Sequence, residues 1–322
     1  MKRFLSVALA SAAILFSPPL AAQNYPNRTV TVVVPFPAGG SVDGVARILV
    51  QKLNETPGHT FVVENRAGGA GGNVGSNTVA KAPPDGYTLL LSASIHVINP
   101  FLFKNVPYDV VADFTPVSLL AVGPLIVSTT PSVPAKNLKE FFDLVRATPD
   151  KFTFGTTGVG SASHLAIELL KREGGVNTLV VAYRGTAPAL TDLMSGQIQG
   201  LADPILSSLP LAQGGKIKAL AITSAKRMPS APDIPTVAES GMKDFEFVSW
   251  YGVWGPKGLP PEIVQKLQTE MAKAVKDPGV QERMGVQGFE SVGSTADEFA
   301  RYVNAEMAKY GQIIKDANIK ID

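Results

Sequence analysis

The chain has no cysteine and only three histidines, His59, His96 and His164, set far apart. Without cysteine it can carry neither a disulfide nor a lipid attached to a cysteine behind an export signal. The histidine spacing, with no H-E-x-x-H, leaves no zinc motif. Charge is also scarce. Charged residues make up 17% of the chain, against the roughly 25% of ordinary soluble domains, and the formal net charge is only +2. Phosphate backbones are held by clustered Lys and Arg, so this balance argues against a nucleic-acid partner. There is no G-x-x-x-x-G-K-[ST] phosphate loop and no G-x-S-x-G nucleophile elbow. After residue 16, no apolar run approaches the roughly 20 residues needed to span a bilayer.

The sequence opens with an address. Residues 1–22 carry Lys2 and Arg3, an apolar run from Leu5 to Phe16, and the small residues Ala21 and Ala22 before Gln23. That order is the pattern of a cleaved secretory signal, and the apolar run is too short for an anchor. Cleavage near Ala22/Gln23 would leave 322 − 22 = 300 residues with 29 − 2 = 27 basic side chains against 27 acidic ones. Three hundred residues suffice for two domains with adequate cores and no disulfides. An exported, unanchored, cysteine-free chain fits the bacterial periplasm.

Two stretches repeat one plan. The β-branched run Val30–Val34 predicts a buried strand, Pro35 to Gly40 a loop, and Ser41 a helix N-cap. Val42, Val45, Ala46, Leu49 and Leu53 then follow a helix face. In the second copy, Phe152–Phe154 predicts a strand and Gly155–Ser161 a loop. Ser163 is its N-cap candidate, and Ala162, Leu165, Ala166 and Leu169 form its helix face. Further strands are expected at 61–63, 87–91, 179–182, 198–202 and 219–223. Helices are expected from the N-cap candidate Thr186, over 261–276 and over 295–315, the last with a Thr295/Glu298 capping box. Alternating strands and helices imply an α/β fold with mainly parallel sheets. No linker-like tract divides the halves, so the chain is expected to cross between them directly.

The two small-residue loops are the main candidates for chemistry. A helix N-terminus presents unpaired N–H groups and partial positive charge, so it can hold a carboxylate without Lys or Arg. The competing reading is tight packing alone. Gly158–Ser163 reads G-x-G-x-x-S, an imperfect dinucleotide fingerprint. Ser161, Ser163 and His164 invite a serine hydrolase, although neighbours on a helix face apart. Asp43 reads as a dipole partner, a ligand partner or a brace, and Asp203 as a ligand contact at a strand end or a helix cap. Trp250, Tyr251 and Trp254 read first as packing and second as ligand stacking.

The residues Pro35-Phe36-Pro37-Ala38-Gly39-Gly40 with Asp43 and Arg47, Val63 to Gly69, Pro84 to Leu89, Gly160 to Leu165, Tyr183 to Ala189 and Trp250-Tyr251-Gly252 together resemble one family. It is that of the tripartite tricarboxylate transporter solute receptors, the Bug (Bordetella uptake gene) receptors. The resemblance implies a type II-like Venus-flytrap periplasmic binding protein: two α/β lobes joined by two crossovers, residues 23–125 plus 248–322 and an inserted 126–247. It implies a carboxylate held by Phe36, Ala38, Gly39, Gly40, Ser41 and Asp43 of the first loop. Ser92 and Ser94, then Thr156, Gly160, Ser161, Ala162 and Ser163, and finally Tyr183 and Asp203 complete the implied site. No catalytic residue, metal or cofactor is implied. The partners would be a dicarboxylate, amino acid or aromatic acid and the membrane subunits of a transporter, or alternatively a sensor kinase ectodomain, with the receptor a monomer. Valine for Gly40 or Gly160 is expected to block ligand approach and keep the fold.

Overall fold

The computed structural model describes residues 25–319, so the export segment read in residues 1–22 lies outside the described residues. Strand β1 (Val30–Val34) forms where the β-branched run demands it and is almost wholly buried. It pairs in parallel with β2 (Phe61–Asn65) and β3 (Thr88–Ala93). Next to β3 lies the antiparallel β9 (Val248–Pro256), and next to β9 the 16-residue β4 (Phe114–Thr129). A second group holds β5 (Thr153–Thr156), β6 (Leu179–Ala182), β7 (Gly200–Pro204) and β8 (Lys218–Ile222). There β5 pairs in parallel with both β6 and β7. The short β10 (Glu290–Ser291) pairs with β4. The strand order is β2-β1-β3-β9-β4-β7-β5-β6.

Strand β4 joins the two groups. Up to Pro124 it pairs with β9, and from Leu125 it pairs with β7 and β8 instead. The chain comes back at Val248, opposite Pro124. Adjacent long antiparallel strands thus carry the chain between the strand groups, which is why no flexible linker is needed.

Helices follow most strands: α1 (Ser41–Leu53), α2 (Asn73–Ala80), α3 (Ile95–Leu102), α4 (Leu138–Ala147) and α5 (Ala162–Gly174). Then come α6 (Thr186–Ser195), α7 (Ile205–Gln213), α8 (Pro261–Val275), α9 (Pro278–Val286) and α10 (Ala296–Asp316). Thr295 caps α10 with the expected capping box to Glu298. Three expected caps move. Gly40 rather than Ser41 is the N-cap of α1, Ser161 rather than Ser163 that of α5, and Gly185 rather than Thr186 that of α6. Ser161 takes the cap of α5 because its side chain accepts from the His164 N–H, and glycine caps α1 and α6 without a side-chain bond. Among the described residues, no helix is long and apolar enough to cross a membrane.

The period-2 alternation of β9 serves two cores. Trp250 and Trp254 face one way, against Phe299 and Tyr310 of α10, and Trp250 Nε1 donates to the Tyr310 hydroxyl at 2.9 Å. Tyr251 and Val253 face the other way, into the core under α1 and α8. The first core continues through Leu102 of α3 into Leu165, Ala166 and Leu169 of α5, so both strand groups share it.

Candidate functional site

Each repeat of the strand-loop-helix plan builds a braced loop. In the first, Asp43 is 3% exposed. Its Oδ2 accepts from the Gly39 N–H at 2.9 Å and from Arg47 Nε at 2.8 Å, and its Oδ1 accepts from Asn65 Nδ2 at 2.9 Å. Asn65 Nδ2 also donates to the Phe36 carbonyl at 3.0 Å. Burial alone would raise the Asp43 carboxyl, but the bonds from Arg47, Gly39 and Asn65 outweigh it and hold the group below the usual carboxylate range. The loop turns at Gly39, whose φ of 86° suits glycine. A Cβ on Gly40 would meet only the Pro37 carbonyl, at 3.8 Å, so its other side is open.

The second loop is braced by its own hydroxyls. Ser161 Oγ donates to the Gly158 carbonyl at 2.8 Å and accepts from the His164 N–H at 3.2 Å. Ser163 Oγ donates to the Ala202 carbonyl of β7 and accepts from the Thr157 N–H at 3.2 Å. His164 Nδ1 accepts from the Gly160 N–H at 3.0 Å, and burial lowers the pKa of this ring. A serine nucleophile needs a free hydroxyl and a base with an open lone pair facing it. The Ser161 and Ser163 hydroxyls and His164 Nδ1 are committed to bracing instead.

The two loops face one cavity of about 700 Å3. Five helices begin at its wall. Gly40, Ser41 and Val42 start α1, Ser94 and Ile95 start α3, and Ser161, Ala162 and Ser163 start α5; Gly185 and Thr186 start α6, and Pro204 precedes α7. Among the described lining residues none is Asp, Glu, Lys or Arg. The positive field therefore comes from helix ends, each equivalent to roughly half an elementary charge. Tyr251 and Ser249 of β9 and Leu125 of β4 close the back. Burial raises the Tyr251 hydroxyl, with the Ser41 and Ser249 side chains bonding to it and opposing that rise.

Of the residues read from the sequence, Phe36, Ala38, Gly39, Gly40, Ser41, Ser94, Ser161, Ala162 and Ser163 line this cavity. The other six stand behind the wall. Asp43 is the brace just described. Thr156 Oγ1 donates to the Gly158 carbonyl at 3.2 Å. The Tyr183 hydroxyl donates to Asp192 at 2.6 Å, away from the cavity. Ser92 is fully buried in β3. Gly160 lies against Leu102 of α3, which a Cβ there would overlap, so Gly160→Val disturbs packing and the expectation of a kept fold fails at this position. Asp203 is fully buried, accepts a bond from Ser208 of α7, and is pushed up to about 7 by burial. Trp250 and Trp254 belong to the first core, and Tyr251, in the second, also reaches the cavity. Thr157 and Gly158 of the second candidate loop and Gly185 and Thr186 of the segment after Tyr183 line it too, whereas Ser249 and Gly71 were missed. Thr186 carried a signal as a helix start; Ser249 and Gly71 carried none, because only the sheet order brings them there. Among the described residues, no cluster of three His, Asp or Glu could hold a metal.

Known proteins share this architecture. BugT of Bordetella pertussis is 33% identical over 94% of this chain and 93% of its own length. The solved structure of R. palustris Rpa4515 with adipate is 37% identical, with a TM-score of 0.83 over 92% of this chain and 100% of that one. MatC (Rpa3494) from Rhodopseudomonas palustris, solved with bound malate, is 34% identical, with a TM-score of 0.77 over 90% of this chain and 100% of that one. The chain is thus a two-lobed solute-binding receptor of α/β fold rather than an enzyme, in keeping with hydroxyls spent on loop bracing. Residues 45–319 match the model of the tripartite tricarboxylate transporter family receptors, and the chain belongs to that family.

Proposed function

We propose that the protein captures a small carboxylate, foremost a dicarboxylate, between its lobes in the periplasm and delivers it to the membrane subunits of a tripartite transporter. The lobes in this reading are residues 23–125 plus 248–322 and residues 126–247. The observation that carries the proposal is the convergence of five helix starts on a cavity with no charged side chain among its described lining residues. Free N–H groups in a first helical turn favour an anion, and glycine and serine let it approach the backbone closely. The starts of α1 and α3 come from one strand group and those of α5, α6 and α7 from the other. One anionic group on each side would reward closure, since ligand favours the closed form only through contacts with both lobes. Relatives solved with adipate and malate, both dicarboxylates, support the ligand class.

The test is calorimetry and thermal shift on protein unfolded and refolded to strip ligand carried from expression. Malate, adipate, monocarboxylates and amino acids are the panel. A binding acid at 100 times its dissociation constant should add about 2.7 kcal/mol to stability. No stabilisation by any acid, with the refolded protein native by circular dichroism, would overturn the proposal. Protein recovered from the periplasm is expected to begin at Gln23 by N-terminal sequencing.

A further inference from the structure

The glycine-rich stretch after β2 is unused by the two-loop site, yet Gly71 lines the cavity. Asn99, fully buried on α3, reaches it across the chain: its Nδ2 donates to the Gly71 carbonyl at 2.9 Å and to Asn73 Oδ1 at 2.8 Å. The Tyr108 hydroxyl donates to the same Asn73 oxygen at 2.7 Å. Asn99 Oδ1 has no partner among the described residues and faces Gly71 so closely that any Cβ there would overlap it. Gly71 has a φ of 61°, so both space and conformation demand glycine. On the loop's other side, a Cβ on Gly72 would stand 2.9 Å from Pro35 Cβ, and one on Gly75 2.8 Å from Pro35 Cα, just before Phe36 of the first loop.

We propose that Asn99 is a positioning residue for the cavity, holding the Gly71 backbone so that the glycine loop forms a wall wedged against Pro35 and Phe36. One side chain thereby ties three lining segments together: α3, whose first turn lines the cavity, the glycine loop, and the first loop. A trans peptide sets its N–H opposite its C=O, so drawing the Gly71 carbonyl toward Asn99 turns the Gly72 N–H away from it. The Gly71 carbonyl is half-buried, and the Asn99 bond gives it a protein partner in place of water. Side chains of the shape needed cannot come from the loop itself, since Gly71 and Gly72 have none.

The inference rests on the carboxylate reading for its effect on affinity, but its structural half can be read without ligand. The variants are Asn99→Ala, Gly71→Ala and, as control, Tyr108→Phe, which removes that hydroxyl's bonds to Asn73 and Asn99 but keeps the Asn99 donor to Gly71. Amide exchange by mass spectrometry on the full chain should accelerate at least about tenfold over residues 68–75 in Asn99→Ala, with the β1 and β9 peptides unchanged. Malate and adipate affinities should fall at least about tenfold in Asn99→Ala and in Gly71→Ala, and less than about twofold in Tyr108→Phe. In the double variant Asn99→Ala/Gly71→Ala the losses should not add, because the first removes the atom the second collides with. If Asn99→Ala does not fold, Gly71→Ala carries both readouts. Unchanged exchange over 68–75, or equal affinity losses in Asn99→Ala and Tyr108→Phe, would overturn the inference. A wild-type protein that binds neither acid counts against the carboxylate reading, and the exchange result then decides the role of Asn99.

Discussion

At the scale of single residues, the two aspartates of interest have opposite fates. Asp43 is surrounded by donors and stays ionised; Asp203 is surrounded by apolar strand and helix and is pushed up to about 7. For Asp203 the sign is a penalty. An unfolded aspartate titrates near 3.8, so between that value and about 7 the native state keeps a proton that the unfolded state has released. Stability falls as pH rises through that window, by roughly 1.4 kcal/mol per unit, and the loss is complete above it. Asp203→Asn removes the charge and should abolish this slope. In urea unfolding at pH 5 and pH 8, the variant is expected to gain about 2–3 kcal/mol on wild type between the two. Parallel pH profiles would show that Asp203 titrates normally. At Gly40 the open side allows a direct probe of the cavity. Gly40→Val should leave unfolding within about 1 kcal/mol of wild type while weakening carboxylate binding by at least about a hundredfold. Retained affinity by calorimetry would move the ligand elsewhere.

At the scale of elements, β9 explains why the aromatic cluster split. Trp250 and Tyr251 are adjacent in sequence, but a strand turns neighbours to opposite faces, so Trp250 packs against α10 while Tyr251 enters the core under α1 and α8 and reaches the cavity. Gly252 lies between them and Trp254 because Phe299 of α10 lies over it. Even a methyl there would overlap the ring. Gly252→Ala is expected to cost about 1–3 kcal/mol in urea unfolding, from overpacking rather than from backbone strain. A neutral result would mean that α10 shifts freely on the sheet. The helix starts show what local patterns reveal. The strand-loop-helix plan was legible at both loops, to within one or two residues of the true cap. The eight-residue helices α2 and α3 were not, because α2 has only a glycine-rich entry and α3 holds Pro100. Both are held by tertiary contacts such as the Asn73, Asn99 and Tyr108 cluster.

At the scale of the whole molecule, the recognition field is built from backbone. Past residue 22 the sequence is balanced at 27 basic against 27 acidic side chains, and among the described residues the cavity wall has none of either. Carboxylate affinity should therefore change less than about threefold between 50 and 300 mM salt, since a ligand held against helix ends by short contacts between the two loops is screened less than surface charges are. Calorimetry across that range checks it; a steep salt slope would show that surface cations carry the binding.

The sequence alone determined the α/β class, both principal loops and the family, because those depend on local rules: β-branched runs, small-residue turns, helix periodicity and motifs quoted in order. Nine cavity-lining residues were legible for the same reason. Tertiary structure decided which of the loop neighbours face the cavity and which brace it. It moved Asp43, Thr156 and Tyr183 behind the wall, brought Ser249 and Gly71 into it, and set Asn99 28 positions along the chain from the carbonyl it holds. Those placements depend on the strand order β2-β1-β3-β9-β4-β7-β5-β6, in which β9 joins the wall from 150 or more residues further along the chain than β3. No local pattern encodes that adjacency. It follows from burying β4 and β9 side by side in one sheet.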